Sequence, residues 1–133
     1  MISQAVNISV DGSQMDSYVA RPPAGSGPHP AVIVLQEVFG VNAEMRRVTD
    51  MLAAAGYVGV AINFYHRTHP SLDLGYDERS MQQGIEAGKN ITRADLYADL
   101  NAAIDWLKAQ DFVRDGKIAT WGFCICLLYT SDA

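Results

Sequence analysis

The chain has 133 residues, 49% hydrophobic and 19% charged, enough for one domain with a buried core and ordinary for a globular protein. Its formal net charge of -5 argues against nucleic acid, whose recognition shows as a basic patch, and reads as a solvated acidic surface. No run approaches the ~18 apolar residues of a membrane span, residues 1–7 lack the regions of a signal peptide, and Cys124 and Cys126 are too close to staple a scaffold, so a reducing cytoplasm is expected.

In chain order, Ala5 to Val10 and Met15 to Arg21 alternate apolar and polar residues around Asp11-Gly12-Ser13-Gln14, which predicts a β-hairpin turning at Asp-Gly. Pro22 to Pro30 is a loop rich in proline and glycine. Ala31 to Leu35 is a continuous apolar run, expected of a strand buried on both faces. Asn42 fits the N-cap of a helix to about Ala55, with Met45, Val48, Met51, Leu52 and Ala55 on one face. Gly56 stands where a left-handed C-terminal residue belongs, and Val58 to Ile62 is a second buried-type strand.

The stretch from Asn63 to Tyr76 is a long loop, and long loops are candidates for function. Residues 78–87 predict a short helix that Gly84 weakens. Thr92-Arg93-Ala94-Asp95 resembles a capping box with Asp in place of Glu. The helix it opens carries Leu96, Leu100, Ala103, Ile104 and Leu107 to about Gln110, and Asp115-Gly116 turns into a strand from Lys117 to Trp121. Strands alternating with helices after a hairpin predict an α/β fold with a sheet rich in parallel pairs.

That strand runs into Trp121-Gly122-Phe123-Cys124-Ile125. A strand entering Gly-x-nucleophile is the elbow of the α/β-hydrolase fold, in which small flanking residues allow the sharp turn that exposes the nucleophile. Cys124 would sit at the carboxyl end of a parallel strand, where α/β ligands bind. It would also lie beside the next helix N-terminus, whose dipole favours thiolate. Glu37 leaves the first buried strand on the same rim. The amides of Val38 and Ile125 are the candidate oxyanion donors, since hydrolases of this fold take one donor after the nucleophile and one from this loop.

Gln36-Glu37-Val38-Phe39-Gly40-Val41-Asn42, Asn63-Phe64-Tyr65-His66-Arg67, Asp77-Glu78-Arg79 and Trp121-Gly122-Phe123-Cys124 resemble the dienelactone hydrolase family in order and spacing, from about Ile8 to Ile125. The resemblance implies an α/β-hydrolase fold and a Cys-His-Asp triad. It also implies hydrolysis of a small-molecule ester or lactone without cofactor or metal, and a glutamate at Glu37 that contacts the resting thiol. It makes Tyr65 and Arg79 candidates for substrate contact. The family arginine that holds a substrate carboxylate falls on Met81, and the Gly-Gly after the elbow is replaced by Cys126-Leu127.

In α/β-hydrolases the histidine follows the nucleophile and the acid, yet His29, His66 and His69 all precede Cys124 and the only later acid is Asp132. The expectation is therefore an N-terminal portion over residues 1–125, a tail unlike the family over residues 126–133, an incomplete three-layer sandwich, and no activity by itself. A small α/β binding domain, or a redox-responsive one using Cys124 and Cys126, is the competing class. His66 and His69 lack ligand partners at metal-site spacing. Oligomeric state is left open.

Overall fold

The computed structural model describes residues 1–122. Strand β1 (Ile2–Val10) and strand β2 (Ser13–Arg21) form an antiparallel hairpin in register from Ile2 opposite Arg21 to Val10 opposite Ser13. Asp11 and Gly12 make the turn with φ of 50° and 79°, the paired positive values that match a two-residue turn to the twist of the strands. The hairpin begins earlier than the sequence alternation because pairing with β2 carries the extended backbone back to Ile2.

Strand β3 (His29–Leu35), helix α1 (Ala43–Ala54) and strand β4 (Val58–Ile62) form the expected strand-helix-strand unit, with β3 and β4 parallel. Helix α2 (Glu78–Gly88), helix α3 (Arg93–Lys108) and strand β5 (Val113–Gly122) follow. The five-stranded sheet has the order β1-β2-β4-β3-β5; β2 meets β4 antiparallel, and β5 runs parallel to β3.

Helices cover both faces of this sheet. Val34 and Ala61 face α1 and pack with Met45, Val48 and Leu52. Their neighbours Ile33, Val60 and Ile62 point the other way, onto Leu96, Ala103 and Leu107 of α3. The alternation is the side-chain period of a strand, and it produces the layered α/β arrangement.

Local differences from the expected elements have tertiary causes. Met51 and Ala55, expected on the inner face of α1, are exposed, while Thr49 and Ala53 are buried. A Cβ on Gly59 of β4 would lie 2.9 Å from Thr49 Cγ2, so α1 settles onto the side of the helix that glycine admits. Strand β5 starts before Lys117. Between the pairs His29–Val113 and Ala31–Ile118, β5 has four residues where β3 has one, and Gly116 takes φ 72° within the surplus. The Asp115-Gly116 signal thus marks a bulge inside the strand. The two clearest local signals hold: Asn42 caps α1 by accepting from the Met45 amide, and Thr92 with Asp95 forms a capping box on α3. Among the described residues no helix is long and apolar enough to cross a membrane.

Candidate active site

The carboxyl ends of β3, β4 and β5 share one rim, and the segment from Gln36 to Asn42 is built across it. Gln36 is 4% exposed. Its Oε1 accepts from the Phe64 amide at 2.7 Å and its Nε2 donates to the Glu37 carbonyl at 3.2 Å. One side-chain amide therefore locks the exit of β3 to that of β4.

Gly40 closes a tight turn by donating its amide to the Glu37 carbonyl at 3.2 Å. It has φ 85°, and a Cβ there would stand 2.3 Å from the Leu72 carbonyl oxygen; glycine is needed both for the backbone angle and for the close approach. Through that approach the long loop 63–76 zips onto the segment, with the Leu74 amide donating to the Phe39 carbonyl at 2.9 Å. Asn42 completes the join. Besides capping α1, its Nδ2 donates to the Leu74 carbonyl at 3.0 Å and to Tyr76 Oη at 3.2 Å.

Glu37 and Val38, the expected chemical residues of this segment, are held from opposite sides. Tyr76 Oη donates to Glu37 Oε1 at 2.8 Å, and the Tyr76 ring lies 4.5 Å from that of Phe39, centroid to centroid. Partial desolvation, together with the Glu37 carboxylate that its hydroxyl donates to, raises the phenol's pKa against the lowering effect of Asn42. Val38 is held by its carbonyl. Tyr65 Oη donates to it at 2.8 Å and lies 3.2 Å from the Gly84 carbonyl. The Val38 amide donates no hydrogen bond to another described residue.

Glu37 and Tyr76 line a trough of about 520 Å³ with Glu44, Met45, Arg47, Val48, Met51 and Trp121. Trp121 belongs to β5, which pairs with β3 through Val34–Trp121 and Leu35–Gly122. Cys124, Ile125 and Cys126 lie outside the described residues. Tyr65, expected to touch substrate, is 1% exposed and bonded to backbone, so the structure gives it a holding position beneath Val38. Arg79 is exposed in the first turn of α2 and does not line the trough.

A cluster that sequence reasoning missed lies at the same end of the sheet. Asp99 of α3, 0% exposed, has its Oδ1 2.8 Å from His66 Nε2. A carboxylate only accepts, so in the neutral imidazole Nε2 carries the proton and Nδ1 accepts from Ser13 Oγ at 2.8 Å. Arg67 reaches both oxygens of Asp99, at 3.0 and 3.2 Å, and extends to Asp11 and Asp95. Burial opposes the guanidinium charge, yet these carboxylates outweigh it and hold Arg67 above its usual range. The cluster ties the hairpin, the loop after β4 and α3 together. His69 sits outside it, exposed beside Thr68. Among the described residues no group of His, Cys, Asp and Glu could hold a metal ion. The signal that could have found the cluster was Asp99 itself, an acid on the apolar face of α3 between Leu96 and Ala103.

Comparison with known proteins is consistent with this geometry. The model of the dienelactone hydrolase family matches residues 15–127. The carboxymethylenebutenolidases of Pseudomonas putida and Pseudomonas knackmussii are each 32% identical over 127 residues, covering 94% of this chain and 52% of theirs. The solved structure of a dienelactone hydrolase-like promiscuous phosphotriesterase from metagenomic libraries superposes with a TM-score of 0.73 at 27% identity, over 95% of this chain and 52% of that one. The chain spans about half the length of the curated relatives it matches.

Proposed function

The chain belongs to the dienelactone hydrolase family, and from that premise we propose that it carries the nucleophile and the oxyanion donors of a hydrolase acting on small ester or lactone substrates. Cys124 is the nucleophile. Its thiolate attacks the carbonyl carbon, and the resulting oxyanion accepts from the amides of Val38 and Ile125. Collapse breaks the carbon–oxygen bond, the alcohol leaves with the proton given up by the thiol, and water then adds across the thioester to release the acid and return the thiol. Glu37 is the carboxylate beside the resting thiol and takes part in its ionisation. Tyr65 is a positioning residue, holding the Val38 peptide from below.

The observation that carries this reading is the register of β3 and β5. Leu35 pairs with Gly122 in parallel strands, and Glu37 and Cys124 each follow two residues later in the sequence. None of His29, His66 and His69 is assigned as the base: His29 starts β3 at the opposite end of the sheet, His66 is engaged by Asp99 and Ser13, and His69 is bonded to Thr68. Met81 in place of a carboxylate-holding arginine favours uncharged esters, since the cation that does line the trough, Arg47, is already paired with Glu44. The cytoplasm, where a thiol stays reduced, is the compartment in which this chemistry works without protection.

The test uses a full-length protein carrying residues 1–125 as written. Iodoacetamide should label Cys124 and abolish hydrolysis of p-nitrophenyl acetate in parallel, and Cys124→Ala should be inactive. Full activity in Cys124→Ala overturns the assignment.

A further inference from the structure

A cavity of about 380 Å³ opens at the end of the sheet away from the rim, where β2 ends and β3 and β5 begin. It is walled by the segment 22–28, by Arg21 and His29 on the strands, and by Asp111 and Phe112 just before β5. We propose that this cavity is a binding site for a small organic monocarboxylate, held at its charged end by Arg21. The site is built from described residues and does not depend on the chemistry proposed at Cys124.

Arg21 is set in place with its donors unspent. Its guanidinium lies over the Phe112 ring, Cζ 4.2 Å from the centroid, and that ring meets Trp106 edge-on with centroids 6.4 Å apart. A cation seated on a ring face is held without using any N–H. Among the described residues the Arg21 side chain makes no hydrogen bond and no ion pair, and its Nε is buried without a partner. With Nε closed off, the two terminal nitrogens are what a ligand meets. They form an end-on pair of donors with the spacing of a carboxylate, and a charge-assisted pair of this kind is the strongest contact a guanidinium makes.

The segment beside Arg21 is folded on itself. Ser26 donates its amide and its hydroxyl to the Pro23 carbonyl, at 3.2 and 2.5 Å, and its Oγ lies 3.2 Å from His29 Nε2. The His29 amide donates to the Phe112 carbonyl at 3.0 Å, which ties the end of the segment to the residue that carries the ring. Gly27 has φ 139°, and a Cβ there would stand 2.7 Å from His29 Cδ2, so the wall admits no side chain at that point. Pro22, Pro23 and Pro28 offer their rings to the carbon atoms of a ligand. Asp111 lines the same cavity, and its carboxylate repels any second negative charge. One carboxylate matches Arg21, whereas a dianion is opposed.

The test is a titration of the full-length protein with benzoate, followed by the amide signals of Gly25, Gly27 and Phe112, which should shift saturably. Shifts near Glu37 report the other site and are read apart from these. Arg21→Met keeps the stem against the Phe112 ring and removes the charge, and should weaken benzoate at this site by at least about 10-fold, as for a lost hydrogen bond to a charged group. Its denaturant midpoint should hold or rise, because the orphaned donor is gone. Arg21→Lys keeps the charge without the fork and should fall between the two. Benzyl alcohol, which has no charge, and inorganic phosphate, which carries up to two, should each bind more weakly than benzoate. The inference is overturned by benzoate that leaves the three signals in place, by an Arg21→Met loss below about 10-fold, or by phosphate or benzyl alcohol binding as tightly as benzoate.

Discussion

Gly84 in the middle of α2 lies against the peptide of Val38: a Cβ on Gly84 would be 2.5 Å from the Val38 carbonyl oxygen and 2.9 Å from its carbon. Tyr65 Oη lies within hydrogen-bonding distance of both carbonyls. A helix that looks weakened by glycine is thus admitted against the loop by that glycine. The approach fixes the carbonyl of the residue whose amide, in the preceding peptide unit, is proposed to face the oxyanion.

Gly84→Ala is expected to lower stability by about 1–3 kcal/mol, the usual cost of overpacking, against the ~1 kcal/mol that alanine gains over glycine in a helix. Because the clash is with backbone rather than with the end of a flexible side chain, relief requires α2 or the Val38 peptide to move. Displacing one oxyanion donor costs on the order of 10²–10³ in kcat. The urea midpoint and kcat on p-nitrophenyl acetate should therefore both fall in the full-length protein; an unchanged kcat would show that Val38 is not a donor.

Tyr65→Phe separates the holding position from the substrate contact suggested by family resemblance. The variant loses the hydroxyl bonds to Val38 and Gly84 and should be less stable by about 1–2 kcal/mol, as for a buried hydrogen bond whose acceptors are left behind. Its KM should stay at the wild-type value while kcat drops. A raised KM with unchanged kcat would return Tyr65 to the substrate.

Asp77 caps α2 and makes that helix sensitive to acid. The Ser80 side chain, then the Ser80 amide at 2.7 Å and the charge of Arg79, hold its carboxyl below the usual carboxylate range. A lowered pKa in the folded state stabilises above the unfolded value, and that stabilisation is lost as pH falls through the folded one. Amide exchange at Ser80 should accelerate below about pH 4, the ordinary range of Asp, before the rest of the fold is affected. Exchange at Ser80 that tracks global unfolding would refute this.

Features set by neighbours in the chain were legible in the sequence. Asp11-Gly12, the Asn42 cap, Gly56 and the Thr92–Asp95 box each depend on a few adjacent residues, and each stands in the structure as expected. Features set by a distant surface were not. Gly40 and Gly84 are needed by Leu72 and Val38 respectively, so neither turn propensity nor helix propensity reveals their purpose. Met51 lies on the apolar face of α1 by periodicity, but Gly59 decides which flank of the helix descends. Of the candidate site, the strand exits and the rim shared by Glu37 and Val38 were legible because parallel strands order their carboxyl ends. Tyr76 was not, since its link to Glu37 crosses 39 positions.

The Arg67–Asp99 pair supplies the sharpest stability prediction, because its two members meet a rule for buried charge from opposite sides. Asp99 is 0% exposed and Arg67 22% by side chain, so removing the carboxylate leaves a partly buried guanidinium with only Asp11 at 3.3 Å and Asp95 at 3.7 Å. Breaking a buried pair by one partner costs about 3–5 kcal/mol. Asp99→Asn keeps an oxygen for His66 and should fall near the lower end, about 3 kcal/mol. In an Arg67→Met background the same substitution has no stranded charge to leave behind and should cost about 1 kcal/mol, as for a neutral hydrogen bond. Denaturant unfolding of the four proteins gives the coupling between the two sites, and kcat should be little affected because neither side chain touches Glu37. Additive losses would mean that Asp99 serves His66 alone, with Arg67 a bystander at the edge of the cluster.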